Sequence, residues 1–355
     1  MIKYDIILKG KNEFYPNLNN KQYNVLKVDT KEKQDFMSDI INKFILSQSK
    51  NHTEKHYIAI DYEFNKVSKD KKDIALMQLC LENDSNVSYI FILLPSILSK
   101  DNMNILIQLM TNTMIYKILH GSESLDIPYI YNQLLITKDK IDKFCVNFYD
   151  TKYLCEYNMI ENNITTKCSI YDLLLNQKVV TQKKIDELNR IEDKMGPIYM
   201  IQIDIHNLSN YVLYYALYDV IFLPELLKKF LNRSEIYRKT IPEISCIINS
   251  YKRNIDPMFG FIETLINSMN IYFIRKDNNR ILLKDLFNKV VLHKLTQINY
   301  FKRFIIILYK LIFYNNVLKN NIVYKNSNEQ VKKDELDKYI EWIKQYKYIY
   351  NIITS

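Results

Sequence analysis

Apolar and polar positions repeat with two different periods along this chain, and the change of period divides it. Residues 30–47 (TKEKQDFMSDIINKFILS) carry apolar side chains at helical spacing behind Asp29 or Thr30 as N-cap. The period then falls to two. Tyr57–Phe64, Ile74–Leu81 and Val87–Leu94 are strand-like runs separated by the polar, turn-forming stretches NKVSKDKKD and ENDSN. Helical spacing returns over 101–112, and Met114–Leu119 is a short apolar strand that stops at His120-Gly121. Leu125–Leu135 is helical, Val146–Tyr149 a short strand, and 169–176 and 208–230 are helical. Segment 181–206 fits neither period and holds Gly196-Pro197, which predicts an inserted loop or lid. Beyond residue 231 the pattern is helical at 233–252, 257–274, 282–296, 299–314 and 331–352, with Asn315–Asn328 as a long connection.

Three strands followed by alternating helices and strands is a mixed α/β order in which the first three strands can pair as a meander. We expect an N-terminal extension over 1–50, an α/β domain over 51–230 and a mostly α-helical accessory domain over 231–355. A chain that is 48% apolar and 25% charged has the balance of an ordinary globular protein. The five cysteines are odd in number, scattered and never paired as C-x-x-C, so we expect reduced thiols rather than a zinc site or a disulfide framework. The N-terminus shows no signal or transit pattern, and the longest apolar run, Phe304–Tyr314, is short and broken by Lys310. The expected setting is therefore inside the cell, cytoplasmic or nuclear, with no membrane partner. Heavy use of Ile, Asn, Lys and Tyr suits an AT-rich coding sequence, as in a large DNA virus.

The net charge of +9 is unevenly placed. Residues 231–355 hold 21 Lys+Arg against 11 Asp+Glu, and residues 1–230 hold 28 against 29. That asymmetry is open to two interpretations, a polyanionic partner near the C-terminal region or a solvated helical surface.

The acids are more informative. Within HYIAIDYEFNK, Asp61 and Glu63 project to one face of a strand while Tyr62 points to the other. Asp126 opens a helix after His120-Gly121, where a first-turn acid is also favoured by the helix dipole alone. In NYVLYYALYDVIFLPELL, Tyr215 and Asp219 share a helix face among residues suited to burial, and a buried carboxylate requires a cation. Four hard oxygen ligands of this kind suit two divalent ions, Mg²⁺ or Mn²⁺. Two such ions about 4 Å apart activate a water and stabilise the leaving oxygen of a phosphodiester.

The ordered set IAIDYEF, ALMQLC, KILHGSESLD and YALYD resembles the DEDD 3′–5′ exonucleases, and within them the tyrosine branch that includes ribonuclease D, its exosome-associated relatives and the Werner-type exonuclease domain. Asp150-Thr151 and the Ser169–Leu174 stretch follow the same order, so the resemblance runs from about residue 52 to 230. Two features depart from it. His120 and Asp126 are six residues apart where the family commonly has five, and segment 181–206 replaces a basic, tryptophan-containing stretch.

The resemblance implies a ribonuclease H-like mixed sheet flanked by helices and a metal-dependent exonuclease acting from the 3′ end of single-stranded nucleic acid, with RNA favoured over DNA. It implies that Asp61, Glu63 and Asp219 hold one ion, that Asp61 bridges to a second, and that Asp126 completes the second site largely through water. Tyr215 would orient the attacking water, and Phe64 and His120 would line the pocket of the 3′-terminal nucleotide. For His120 an anchoring role in the loop competes with that assignment, and for Tyr62 simple core packing is favoured. The alternative function is an inactive nucleic-acid-binding adaptor or scaffold that keeps the fold, against which the complete acid set argues.

Overall fold

The computed structural model describes residues 2–9, 21–50, 54–68, 71–122, 125–162 and 168–233, with short pieces at 237–238, 242, 272–274 and 280–282. The three strand-like runs form the expected meander. β3 (Tyr57–Lys66) pairs antiparallel with β4 (Lys72–Glu82), and β4 with β5 (Val87–Leu93). Beyond β3 lie β6 (Tyr116–Leu119) and β7 (Phe148–Asp150), both parallel. Two further strands extend the other edge: β2 (Gln22–Val28) runs parallel to β5, and β1 (Ile6–Lys9) runs antiparallel to β2. The result is one seven-stranded mixed sheet, β1-β2-β5-β4-β3-β6-β7, with helices packed against it, the mixed α/β architecture expected. β1 and β2 were not apparent from the pattern, because β2 buries Tyr23, Asn24, Val25 and Leu26 in succession and shows no alternation.

Helix α1 (Lys31–Lys50) starts where Thr30 Oγ1 accepts the Lys33 N–H at 3.3 Å. Its Phe36, Ile40 and Phe44 share a groove with Leu81, which places α1 on the sheet face opposite Gln78 and Cys80. Helix α2 (Lys100–Met110) packs beside α1 through a polar seam in which Ser38 Oγ donates to Asn102 Oδ1 at 2.6 Å. Helix α3 (Asp126–Tyr129) runs on into a π-helical stretch, Ile130–Leu135, and is followed by α4 (Lys138–Cys145), α5 (Thr151–Asn162) and α6 (Ile170–Asn176).

Several expectations need correction. Residues 182–195 are not a loop: they form α7 (Gln182–Met195), capped by Thr181 and ended by Gly196 at φ 78°. Only Lys184, Ile185 and Leu188 are buried on it, the Lys184 ammonium held by Tyr218 Oη at 2.9 Å, a stripe too narrow to stand out in the sequence. The loop expectation holds for the remainder, apart from two single turns at Ile198–Met200 and Ile205–Asn207. The single helix expected over 208–230 is two, α8 (Asn210–Ile221) and α9 (Leu223–Leu231), because Pro224 cannot continue the first and instead occupies the opening turn of the second. Cys80 and Cys145 carry free thiols as expected, whereas Cys155 and Cys168 are disulfide-bonded.

Most of the expected C-terminal helices, and the connection at Asn315–Asn328, lie outside the described residues. Where residues are described, the helix expected over 257–274 fails at its end. β8 (Tyr272–Ile274) pairs antiparallel with β9 (Arg280–Leu282), and the sequence between them holds Asp277-Asn278-Asn279, turn-forming residues whose signal outweighs the helical period of the preceding stretch. Two compact units are present, residues 1–152 with 167–233, and residues 153–166 with 234–355. The seven-stranded sheet belongs to the first.

That unit is closed at one end of the sheet by an ion-pair cluster. Glu82, fully buried at the end of β4, accepts from Lys21 and from Lys228 of α9, each at 2.9 Å, and the Lys228 ammonium lies 5.2 Å from the Tyr57 ring centroid.

Candidate metal centre

β3 buries Tyr57, Ile58, Ala59 and Ile60 completely or nearly so, and then turns acidic. Asp61 is directly opposite Gln78 of β4 and Glu63 opposite Leu76, so these four side chains share one sheet face. A bulge between Glu63 and Phe64 shifts the register immediately afterwards, and bulges of this kind re-aim side chains. Over this face lies α8, which starts with the Ser209 hydroxyl accepting the Val212 N–H at 3.3 Å and packs its apolar side on β3, β4 and β5. The packing delivers Asp219 to the strand acids. One carboxylate oxygen from each of Asp61, Glu63 and Asp219 lies within 4.8 Å of the others, and all three residues are half-buried.

Three carboxylates this close repel one another. Burial pushes the Asp61 carboxyl up to about 7, opposed only by its hydrogen bond with the Tyr62 backbone. Burial and then the Asp61 charge raise Glu63 well above the usual carboxylate range. Burial, followed by the charges of Asp61, Glu63, Glu192 and Asp126, does the same to Asp219. No ion pair to Asp61, Glu63 or Asp219 is present among the described residues, and Asp219 Oδ2 is buried without a hydrogen-bond partner. An all-oxygen donor set with an unsatisfied buried carboxylate fits a divalent cation.

Other expected residues surround this trio. Asp126 is buried at the start of α3, outside the 4.8 Å cluster, but its charge acts on both Asp219 and Tyr62. It lies six positions after His120, and the connection between them is held by Asp150. The Asp150 carboxylate accepts the backbone N–H groups of Gly121, Ser122 and Lys152 and the Ser122 hydroxyl, at 2.8–3.0 Å. Gly121 sits at φ 68°, a conformation that glycine adopts without strain. Tyr215 faces the acids: the Asp219 charge first, then burial and the Glu63 and Asp61 charges, hold its phenol far above the usual value.

His120 Nδ1 and Thr151 Oγ1 are 2.8 Å apart, and Thr151 Oγ1 also donates to the Leu119 carbonyl at 3.2 Å, so the imidazole is the donor in that contact. That ties His120 to the first residue of α5. Phe64 packs edge-on to Tyr129 with centroids 6.0 Å apart, and Tyr62 lies 5.3 Å from Tyr129. Tyr62 is buried in this aromatic group on the sheet face away from Asp61.

Sequence reasoning missed two neighbours. Tyr171 of α6 donates its hydroxyl to Glu192 Oε1 of α7 at 2.5 Å, and the Glu192 charge reaches Asp219 and Tyr215. Beside Tyr215 a cleft of about 460 Å³ is lined by Glu192, Gly196, Pro197, Ile198 and Tyr199, with Tyr199 67% exposed. The only sequence signal was Gly196-Pro197, which marked the segment as irregular without linking it to the acids.

Known proteins similar to this chain include the uncharacterized protein L533 of Acanthamoeba polyphaga mimivirus, which is 30% identical over 372 residues, covering 94% of this chain and 72% of that protein. Among solved structures, RNase D of Trypanosoma brucei in complex with RNA U12 aligns with a TM-score of 0.45 at 16% identity, covering 66% of this chain and 72% of that one. RNase D of Escherichia coli aligns at 0.42 and 11%, covering 93% and 74%. The catalytic core of RRP6 from Trypanosoma brucei aligns at 0.41 and 15%, covering 93% and 84%. Residues 31–235 match the 3′-5′ exonuclease family, and the chain belongs to it.

Proposed function

We propose that this chain is a virus-encoded, metal-dependent exonuclease that hydrolyses phosphodiester bonds from the 3′ end of single-stranded nucleic acid, RNA in preference to DNA. The observation that carries this is the trio Asp61, Glu63 and Asp219, three carboxylates within 4.8 Å of one another, with one buried oxygen unpartnered. Asp61, Glu63 and Asp219 would hold one Mg²⁺ or Mn²⁺, and Asp126, set back from the trio, would serve a second ion through water. The bound ions would supply a nucleophilic water at neutral pH and stabilise the developing charge on the leaving oxygen.

The residues of the chain do the rest. Tyr215 keeps its proton at neutral pH because Asp219 and burial hold its phenol far above the usual value, so it orients a water by hydrogen bonding and does not act as base. Asp150 fixes the loop that leads to Asp126, and His120 stiffens it from the Thr151 side. Phe64 packs with Tyr62 and Tyr129 in the aromatic group behind the strand acids and supports the strand end that carries them. The preference for RNA rests on the ribonuclease D-like order of motifs. A retained fold without cleavage is disfavoured, since a binding adaptor has no need of a mutually repelling acid trio.

With Mg²⁺ or Mn²⁺, the purified protein should shorten a 5′-labelled single strand stepwise from its 3′ end, RNA faster than DNA. Asp61→Ala and Asp219→Ala should abolish the ladder, and Tyr215→Phe should slow it about 10²-fold or more. Intact substrate with the wild type across both metals would sink the proposal.

A further inference from the structure

The second strand of the meander carries a polar side chain that stands apart from the acid trio. Gln78 lies in the middle of β4, between Met77 and Leu79, and is fully buried. Neither its amide nitrogen nor its amide oxygen has a hydrogen-bond partner. A primary amide has two donors and an accepting oxygen, and buried amides are almost always paired. A glutamine there is costly unless a partner becomes available in the working state.

Its position identifies the partner. Gln78 is the residue directly opposite Asp61 across the antiparallel β3–β4 pair. Such pairs place their Cβ atoms about 4.5–5.5 Å apart on the same sheet face, well within reach of a glutamine side chain. The neighbouring residue on that face of β4 toward the bulge is Leu76, and toward the other end Cys80, neither of which can satisfy an amide. On the β5 side the residue opposite Gln78 is Ile92, and the covering helix α8 contributes buried Val212, Leu213, Ala216 and Leu217. Asp61 is thus the hydrogen-bonding side chain that the register puts directly opposite this amide, with Glu63 one step further along the same face on the diagonal.

We infer that Gln78 is a positioning residue for the metal centre: its side-chain N–H donates to the Asp61 carboxylate once a divalent cation fixes that carboxylate. A cation draws one oxygen of each acid toward itself and leaves the far oxygen of Asp61 to be held from behind. A neutral N–H donor does this without competing for the ion, as an arginine or lysine at the same place would. Partners of this kind behind metal ligands set their orientation and raise metal affinity. The inference rests on the proposed metal site and adds a residue that binds neither ion nor substrate.

Gln78→Met keeps the side-chain length and removes the amide, and Gln78→Leu is a second, more compact apolar replacement. Thermal melts of the full chain, titrated with Mn²⁺ alone and without nucleic acid, give a metal midpoint independent of turnover. In EDTA both variants should melt at or above the wild-type temperature, because an unpaired polar group has been removed from the core. The Mn²⁺ concentration giving half of the thermal shift should rise about 10-fold or more. Cleavage should return toward the wild-type rate at saturating Mn²⁺, with KM for the strand unchanged. Variants that melt lower in EDTA while keeping the wild-type metal midpoint would show a purely structural amide and overturn the inference. A wild type with no Mn²⁺-dependent shift overturns the metal-site proposal itself, and with it the role given to Gln78. A wild type that shifts, with both variants matching its midpoint within two-fold, removes Gln78 alone.

Discussion

At Asp219 the needs of the site and the stability of the fold pull in opposite directions. Its carboxyl is raised by burial and by Asp61 and Glu63, and theirs are raised by burial and, at Glu63, by Asp61. A carboxyl whose folded pKa lies above its unfolded value gives stability that is fully present below about pH 4. That stability is lost as pH rises through the folded value, about 7 for Asp61. The metal-free protein should therefore weaken between about pH 4 and pH 7, and Asp219→Asn should relieve the repulsion. In EDTA at pH 7.5 that variant should melt above wild type, by about 2–4 °C for each kcal/mol recovered in a unit of roughly 200 residues. The gain should vanish near pH 4, and cleavage should be lost. A lower melting temperature than wild type in EDTA at pH 7.5 contradicts this account. The strand pair Asp61 and Glu63 was legible because a period of two assigns faces without knowledge of the fold, and Asp219 because it interrupts an apolar helix. Gln78 was marked only as part of ALMQLC, with no sign of what it faces, and Glu192 had no signal: the one matters through cross-strand register, the other through the packing of α7 near Tyr215. His120 was legible as a residue at the strand end, but its partner, the Thr151 hydroxyl, was set by the approach of α5 and not by local sequence.

Elements with a clean period were found within a few residues, and those whose burial breaks the period were not. β3, β4 and β5 alternate or run apolar between polar turns. β2 hides a buried Asn24 in its run, and α7 has too narrow an apolar stripe. The break between α8 and α9 is set by Pro224, a signal present in the sequence but overridden there by the helical spacing that continues on both sides of it. At this scale the strongest structural device is the Glu82 cluster, which joins the end of β4 to α9 and to the entry of β2. Glu82 is fully buried, so Glu82→Ala leaves a cavity beside the Lys21 and Lys228 ammonium groups, which keep only the Asn83 carbonyl and the more distant Glu225 as partners. Breaking a buried pair by removing one partner costs about 3–5 kcal/mol. Chemical denaturation should show that loss, while the Mn²⁺ midpoint of the residual folded protein stays at the wild-type value. The opposite signs of the Glu82 and Asp219 variants in EDTA would separate what holds the unit together from what the site imposes on it.

For the whole molecule, the separation of charge is the feature that the exonuclease site leaves unexplained. Residues 1–230 are nearly neutral, with 28 basic and 29 acidic side chains, whereas residues 231–355 carry 21 against 11. Three clustered carboxylates repel a phosphate chain unless cations are bound, so a strand needs positive charge elsewhere to be held. If the C-terminal region supplies that charge, binding of a single strand to the metal-free protein should weaken steeply with salt. The logarithmic slope for single strands is about −0.7 for each phosphate contacted. Replacing Lys302, Arg303 and Lys310 with Gln should then reduce the magnitude of the slope by up to about 2, a loss of three contacts. Affinity should fall at low salt, and the cleavage rate of saturated substrate should stay the same, because none of the three is among the acids Asp61, Glu63, Asp126 and Asp219. Fluorescence anisotropy with a labelled single strand in EDTA, titrated from low to physiological salt, measures the slope directly. An unchanged slope in the triple variant would leave those charges as a solvated surface and place the phosphate contacts within residues 1–230.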